Sequence, residues 1–159
     1  MRSRLLVAAG LAACLTPVAS MGQTLTHHDV SVKMALAIVD GALARCGPQT
    51  SIAVVDYAGR IKVLVQGDNA QPHNPELARR KAYTARTFRT TSGEWATRTQ
   101  TTNQGQRELD QVIPLQGGVP IMVGDEPIGG VGLSGATGGG PEEEACAKAG
   151  IAKVADQLK

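Results

Sequence analysis

The sequence predicts an α+β domain: one antiparallel sheet of about five strands, with an N-terminal and a C-terminal helix on one of its faces. Three observations carry this. A β-branched hairpin pattern spans residues 51–65, and a second, glycine-rich set of short apolar runs spans 112–133. Helical apolar spacing is confined to stretches before, between and after these runs.

The first two dozen residues stand apart from the domain. Met1-Arg2-Ser3-Arg4 is a basic start, Leu5 to Leu15 is apolar and uncharged, and Pro17 breaks the run. Small residues suited to a signal peptidase follow, Val18-Ala19-Ser20 or Ser20-Met21-Gly22. That order is the anatomy of a secretory leader, read here as residues 1–22. The run is shorter than the roughly 20 apolar residues of a membrane span. Leu11-Ala12-Ala13-Cys14 also matches a lipobox, in which Cys14 would become a lipidated N-terminus. The other reading of Cys14 is a small apolar residue within the leader. Residues 23–159 are then the domain, bound for the periplasm or for secretion.

Thr26 opens the first predicted helix as a cap with Asp29 three residues on, and Val30, Met34, Ile38 and Leu43 keep an approximately helical period. Cys46-Gly47-Pro48 ends it. Ser51 to Asp56 reads as a strand, Tyr57-Ala58-Gly59-Arg60 as a turn, and Ile61 to Val65 as the returning strand. Gly67 to Asn74 is a polar loop. Pro75 sits at a first helical position, and Glu76 to Ala85 has strong helix propensity. Thr91 with Glu94 caps a short helix carrying Trp95. Residues 100–111 are irregular, Val112 to Leu115 is a short strand, and Gln116-Gly117-Gly118 is a turn. Pro120 to Val123 pairs with Ile128 to Leu133. Residues 135–140 form a loop, and a helix starting at Pro141 with Glu142, Glu143 and Glu144 runs to the end.

Composition narrows the function classes. The chain is 42% hydrophobic, enough for one core, and its formal charge is +2. Arg2 and Arg4 leave with the leader, so the domain is near neutral, which disfavours nucleic-acid or anionic-membrane partners. Aromatic residues are 3% of the chain, too few for a base-stacking platform. Glycines cluster after position 116, where tight turns or close backbone approach are expected. Beyond Cys14, only Cys46 and Cys146 remain. An even count in an oxidising compartment points to a disulfide between them; the alternative is two buried thiols. Terminal helices antiparallel on one face would bring the two cysteines together. No CxxC and no Cys/His cluster at zinc spacing is present.

Several phrases then accumulate in one order: Ser51 to Asp56 with Gly59, Arg80-Lys81-Ala82-Tyr83-Thr84-Ala85, Leu115-Gln116-Gly117-Gly118-Val119-Pro120-Ile121, and Ile128 to Gly135. With the helix beginning near Glu142, they resemble the GlcG/HbpS-like family of small haem-binding domains, also found fused to corrinoid adenosyltransferases. The resemblance covers about Leu25 to the end. It implies a profilin-like α+β fold, frequent homo-oligomerisation, here through the sheet and the middle helices, and haem or related tetrapyrrole binding. Gly67-Asp68-Asn69-Ala70 is similar to the extracellular haem-binding branch. The resemblance supplies no axial ligand.

Haem needs an axial donor, an apolar slot and cations for its propionates. Of the three histidines, His73, in the loop before the basic helix, is the first candidate for the metal ligand; the alternative is a solvated loop histidine. His27 and His28 read as polar surface. Arg79, Arg80 and Lys81 crowd one helix turn and could clamp a carboxylate, since a guanidinium matches it bidentately; the alternative is a solvated helix face. Thr84, with Tyr83 and Phe88, lies near the same helix, where core packing is the competing role. The cofactor-binding set is therefore His73, Arg80, Lys81 and Thr84. No GxSxG, HExxH or P-loop pattern occurs, and no catalytic residue is assigned. Asp56 reads as a strand-ending carboxylate that binds turn amides. The expected function is an exported haem-binding protein for scavenging, buffering or redox sensing. The alternative is a lyase, isomerase or accessory subunit in which Arg80 and Lys81 grip a carboxylate substrate; a structural partner without ligand is the third.

Overall fold

The computed structural model describes Gly22 and residues 24–159. The leader, Gly22 apart, and the lipobox Cys14 lie outside the described residues. Residues 24–31 carry no regular structure, and the first helix, α1, spans Val32–Cys46. Its cap is Ser31, whose hydroxyl accepts from the Met34 amide at 3.1 Å, so the helix starts later than Thr26. Asp29 serves another purpose: it accepts the amides of Val30 at 2.8 Å and Tyr57 at 2.9 Å. Burial pushes its carboxyl up, but those two amides and Lys62 outweigh it and hold Asp29 below its usual value. That contact straps the segment before α1 to the first hairpin. Gly47 ends α1 at φ +84 and returns its amide to the Leu43 carbonyl, as a glycine stop should.

β1 (Ser51–Val55) and β2 (Ile61–Val65) form the expected antiparallel hairpin. Asp56, 2% exposed, closes its turn by accepting the Arg60 amide and the Arg60 Nε. Next come α2 (Asn74–Phe88), with Pro75 in its first turn, and α3 (Ser92–Arg98), which carries the full capping box between Thr91 and Glu94. A 3-10 turn over Gln104–Glu108 lies in the stretch read as irregular. β3 (Gly118–Val123) and β4 (Glu126–Ser134) make a second hairpin. α4 covers Gly139–Ala152, and a last 3-10 turn covers Ala155–Gln157, so the final helix stops short of the end.

The sheet has four antiparallel strands in the order β2-β1-β4-β3, one fewer than about five. The missing strand is Val112 to Leu115. Val112 and Ile113 are buried, as a strand's side chains would be, but their backbone pairs with α2. The Ile113 amide donates to Thr84 Oγ1 at 2.9 Å, and the Val112 carbonyl accepts from Arg80. Pro114 here and Pro120 in β3 each lack the amide that a ladder between them would use.

α1 and α4 cover one face of the sheet, as expected, and α2 covers the other. Ile52 and Val54 point into the larger core with Ala35, Ile38 and Ala147, while Ala53 and Val55 face Ala78 and Ala82 of α2. α1 and α4 run antiparallel in close contact, and Cys46 and Cys146 join them as a disulfide with Cα atoms 6.0 Å apart. A crosslink closing about 100 residues is worth on the order of 4–5 kcal/mol in the chain-entropy account.

The opposite face has no such crosslink and relies on glycine. Gly118, Gly130 and Gly132 lie on neighbouring strands, Gly118 opposite Gly132. A Cβ on any of them would run into α2 backbone, at the carbonyls of Lys81, Ala82 and Ala78 respectively. The helix therefore rests on the sheet backbone itself, and its contact residues are themselves alanines. Gly132→Ala is expected to lower stability by about 3 kcal/mol, the upper end for overpacking a core, because the obstructing atoms are main chain. Gly105→Ala, with nothing within 4 Å of the added methyl, should leave stability nearly unchanged. Urea denaturation of both variants checks the contrast.

Candidate functional site

The residues expected to meet a ligand all stand on α2 or at its start, and docking on the glycine floor sends them in different directions. His73 precedes the helix and is exposed; its imidazole caps nothing and has no hydrogen-bond or ion-pair partner among the described residues. Beside it, Asn69, Ala70, Gln71 and Asn74 line a cleft of about 300 Å³ against Gln49, Gly135 and Ala136. The Gly67 to Asn74 loop thus builds one wall of a cavity; His73 lies in the chain between the lining residues Gln71 and Asn74 and is not itself one of them. Asn74 is buried and accepts from the Ser134 hydroxyl at 3.3 Å, which fixes the loop to the end of β4.

Arg79, Arg80 and Lys81 do not converge. Arg79 grips both oxygens of Glu76 at 2.8 Å each and reaches Gln111 at 3.2 Å. The guanidinium beside Glu76 holds that carboxyl below its usual range, and Glu76 in turn raises Arg79. Arg80 donates through one Nη to the Val112 carbonyl, while its Nε is buried without a partner. Lys81 turns inward. It is 4% exposed, and its ammonium lies 2.5 Å from Glu143 Oε2 and 3.0 Å from the Leu133 carbonyl. Glu143, also buried, accepts the Gly135 amide at 2.9 Å through its other oxygen. This pair ties α2 to α4 past the end of β4. Thr84 is fully buried and spent: its hydroxyl donates to the Arg80 carbonyl at 2.8 Å and accepts the Ile113 amide.

The two N-terminal histidines are anchored to the protein. His27 stacks on Tyr57 with ring centroids 4.2 Å apart, and His28 Nδ1 sits 2.6 Å from Glu126 Oε2. Around Tyr57 the structure shows a feature that the sequence reading passed over as a turn and a core aromatic. Tyr57, Ala58, Gly59, Tyr83, Arg86 and Thr87 line a cleft of about 310 Å³. Tyr83 and Arg86, three residues apart on α2, are one helical face, and that spacing was the available signal. A wider groove of about 640 Å³ runs between α3 and α4. Its acidic groups are already engaged, Glu94 in its capping box and Glu144 with Lys148 at 2.7 Å and Gln116 at 3.0 Å. Among the described residues no group of three or more His, Cys, Asp or Glu side chains could hold a metal ion. No helix there is long and apolar enough to cross a membrane.

A family model described as haem degrading protein HbpS-like matches residues 25–152. The chain belongs to the HbpS-like family. Solved structures agree. HbpS is 31% identical with a TM-score of 0.76, over 85% of this chain and 97% of that one. A double mutant of HbpS from Streptomyces reticuli is 30% identical with a TM-score of 0.77, over 88% and 97%. PduOC, solved as a heme complex, is 23% identical with a TM-score of 0.69 over 78% and 94%, a likeness of fold alone. No curated protein matches the chain significantly.

The buried pair between Lys81 and Glu143 makes a direct prediction for this HbpS-like domain. Removing one partner strands the other charge in the interior, so Lys81→Met is expected to cost about 3–5 kcal/mol. Combining it with Glu143→Gln, which keeps an acceptor for the Gly135 amide, should recover part of the loss. Thermal melts of the single and double variants test this; equal melting temperatures for wild type and Lys81→Met would contradict it.

Proposed function

We propose that this protein is an exported haem- or tetrapyrrole-binding protein for scavenging, buffering or redox sensing in the periplasm or outside the cell. The match of residues 25–152 to the HbpS-like family carries the reading. The local chemistry fits it at the N-terminal end of α2. His73 offers an exposed imidazole free of protein partners among the described residues, and its chain neighbours Gln71 and Asn74 line a cleft. Arg80 is half-buried, spends one Nη on the Val112 carbonyl, and is on this reading the cation for a propionate. Lys81 and Thr84 act on this reading by holding α2 and the 112–113 segment in place, since both side chains are already bonded. At about 300 Å³ the cleft takes one edge of a tetrapyrrole, with the rest lying across the surface. Bound haem would supply an iron centre for redox or ligand exchange; the protein would supply one nitrogen and the propionate contact.

A carboxylate-gripping lyase or isomerase is weakened by the same geometry, because Glu143 already neutralises Lys81. The proposal includes a homo-oligomer. β2 and β3 leave their outer edges unpaired among the described residues, and Ile61 and Leu64 on β2 are exposed.

Titrating the purified protein with hemin tests the reading. The expected result is a saturable Soret band that persists when ascorbate is added; no band refutes binding, and ascorbate-driven bleaching would make the protein a haem-degrading enzyme. His73→Ala should weaken binding and shift the Soret maximum. Arg80→Ala should lower affinity roughly tenfold with the maximum unmoved, the cost of one charge-assisted hydrogen bond. An unchanged band and affinity in His73→Ala would transfer the axial role to a Thr or Tyr hydroxyl.

A further inference from the structure

We propose that the cleft at the C-terminal half of α2, between Tyr57 and Tyr83, is a binding site for a planar aromatic carboxylate, separate from the cleft at the start of α2. Its walls are two tyrosine rings, and its cation is Arg86. Arg86 is preorganised: its Nε donates to the Tyr57 carbonyl at 2.6 Å, and its guanidinium carbon lies 4.5 Å from the Tyr57 ring centroid. Both of its Nη groups have no hydrogen-bond or ion-pair partner among the described residues, which leaves the paired donor edge that a carboxylate takes bidentately.

The tyrosines are fixed as well. His27 stacks on Tyr57, and the Tyr57 amide is held by Asp29. Tyr83 lies over Gly59, which has φ +76; a Cβ there would come 2.6 Å from the Tyr83 ring, so glycine is what lets the ring lie against the turn. With His27 on one face of Tyr57 and Arg86 on the other, Tyr57 bounds the cleft by its edge, and the ring on which a ligand stacks is Tyr83, which loses little freedom in doing so. At about 310 Å³ the cleft suits one or two fused rings and is too small for a whole tetrapyrrole. A free aromatic acid and the propionate-bearing edge of a tetrapyrrole share this chemistry.

The test is nitrogen-edited NMR of the purified protein titrated with 2-naphthoate, with 2-naphthylmethanol as the ring without the charge. Saturable shifts at the amides of 57–59 and 83–87 are expected, with the alcohol and the Arg86→Gln variant each binding at least about tenfold more weakly, as loss of a charge-assisted pair requires. Because Arg86→Gln also frees the Tyr57 carbonyl, Thr87→Glu is the second variant. It lies exposed on the rim, should fold normally, and should weaken naphthoate by repulsion. Shifts elsewhere, equal binding of acid and alcohol, or unaltered affinity in Thr87→Glu would overturn the proposal, whatever hemin does. Hemin that displaces naphthoate identifies the tetrapyrrole edge as the source; hemin that binds alongside it assigns the cleft to a free aromatic acid.

Discussion

The contact between the backbone of α2 and the glycine floor of β3 and β4 sets everything else in this domain. Three positions without side chains, Gly118, Gly130 and Gly132, let the helix sit where a Cβ would block it. From that depth Lys81 reaches past the sheet to Glu143 on α4. Arg80 and Thr84 reach sideways to the backbone of Val112 and Ile113. A helix lifted by one methyl layer would lose all three connections at once. The floor thus converts a local absence of side chains into a global fixing of both faces of the sheet. The disulfide between Cys46 and Cys146 does the corresponding work for the two terminal helices on the other face.

α2 is also the element from which both candidate ligand sites project. Its buried stripe of Ala78, Lys81, Ala82 and Ala85 is committed to the sheet. What remains for a ligand lies at its two ends: His73 and the loop cleft at the start, Tyr83 and Arg86 toward the finish. In the middle, Lys81 and Thr84 are consumed by structure, and Arg80 alone, half-buried, keeps donors beyond its bond to Val112. This division explains why membership of the HbpS-like family and a run of basic residues do not by themselves locate a site.

Much of the fold was legible in the sequence because its signals are local. The hairpin of β1 and β2, the glycine stop at Gly47 and the capping box of Thr91 and Glu94 each depend on a few adjacent residues. The start of α1 was misplaced because Thr26 and Ser31 are both competent caps, and the strap through Asp29 that decides between them is a contact with Tyr57, distant in sequence. Val112 to Leu115 read as a strand because burial of β-branched residues looks the same whether the backbone pairs with a strand or with α2 side chains. The idea of a clamp at Arg79, Arg80 and Lys81 overlooked helix geometry: successive residues turn by about 100°, so three in a row cannot face one ligand. The cleft at Tyr57 needed the turn and the helix to be brought together, and neither segment announces the other.

Native-state hydrogen exchange of α2 measures the central dependence most directly. If the glycine floor locks the helix into the cooperative core, the amides of Ala82 and Ala85 should exchange only through global unfolding, with the same free energy as the central strands β1 and β4. Exchange of those amides through a local opening of lower free energy, while β1 and β4 stay protected, would show that α2 is a detachable layer and would contradict the account.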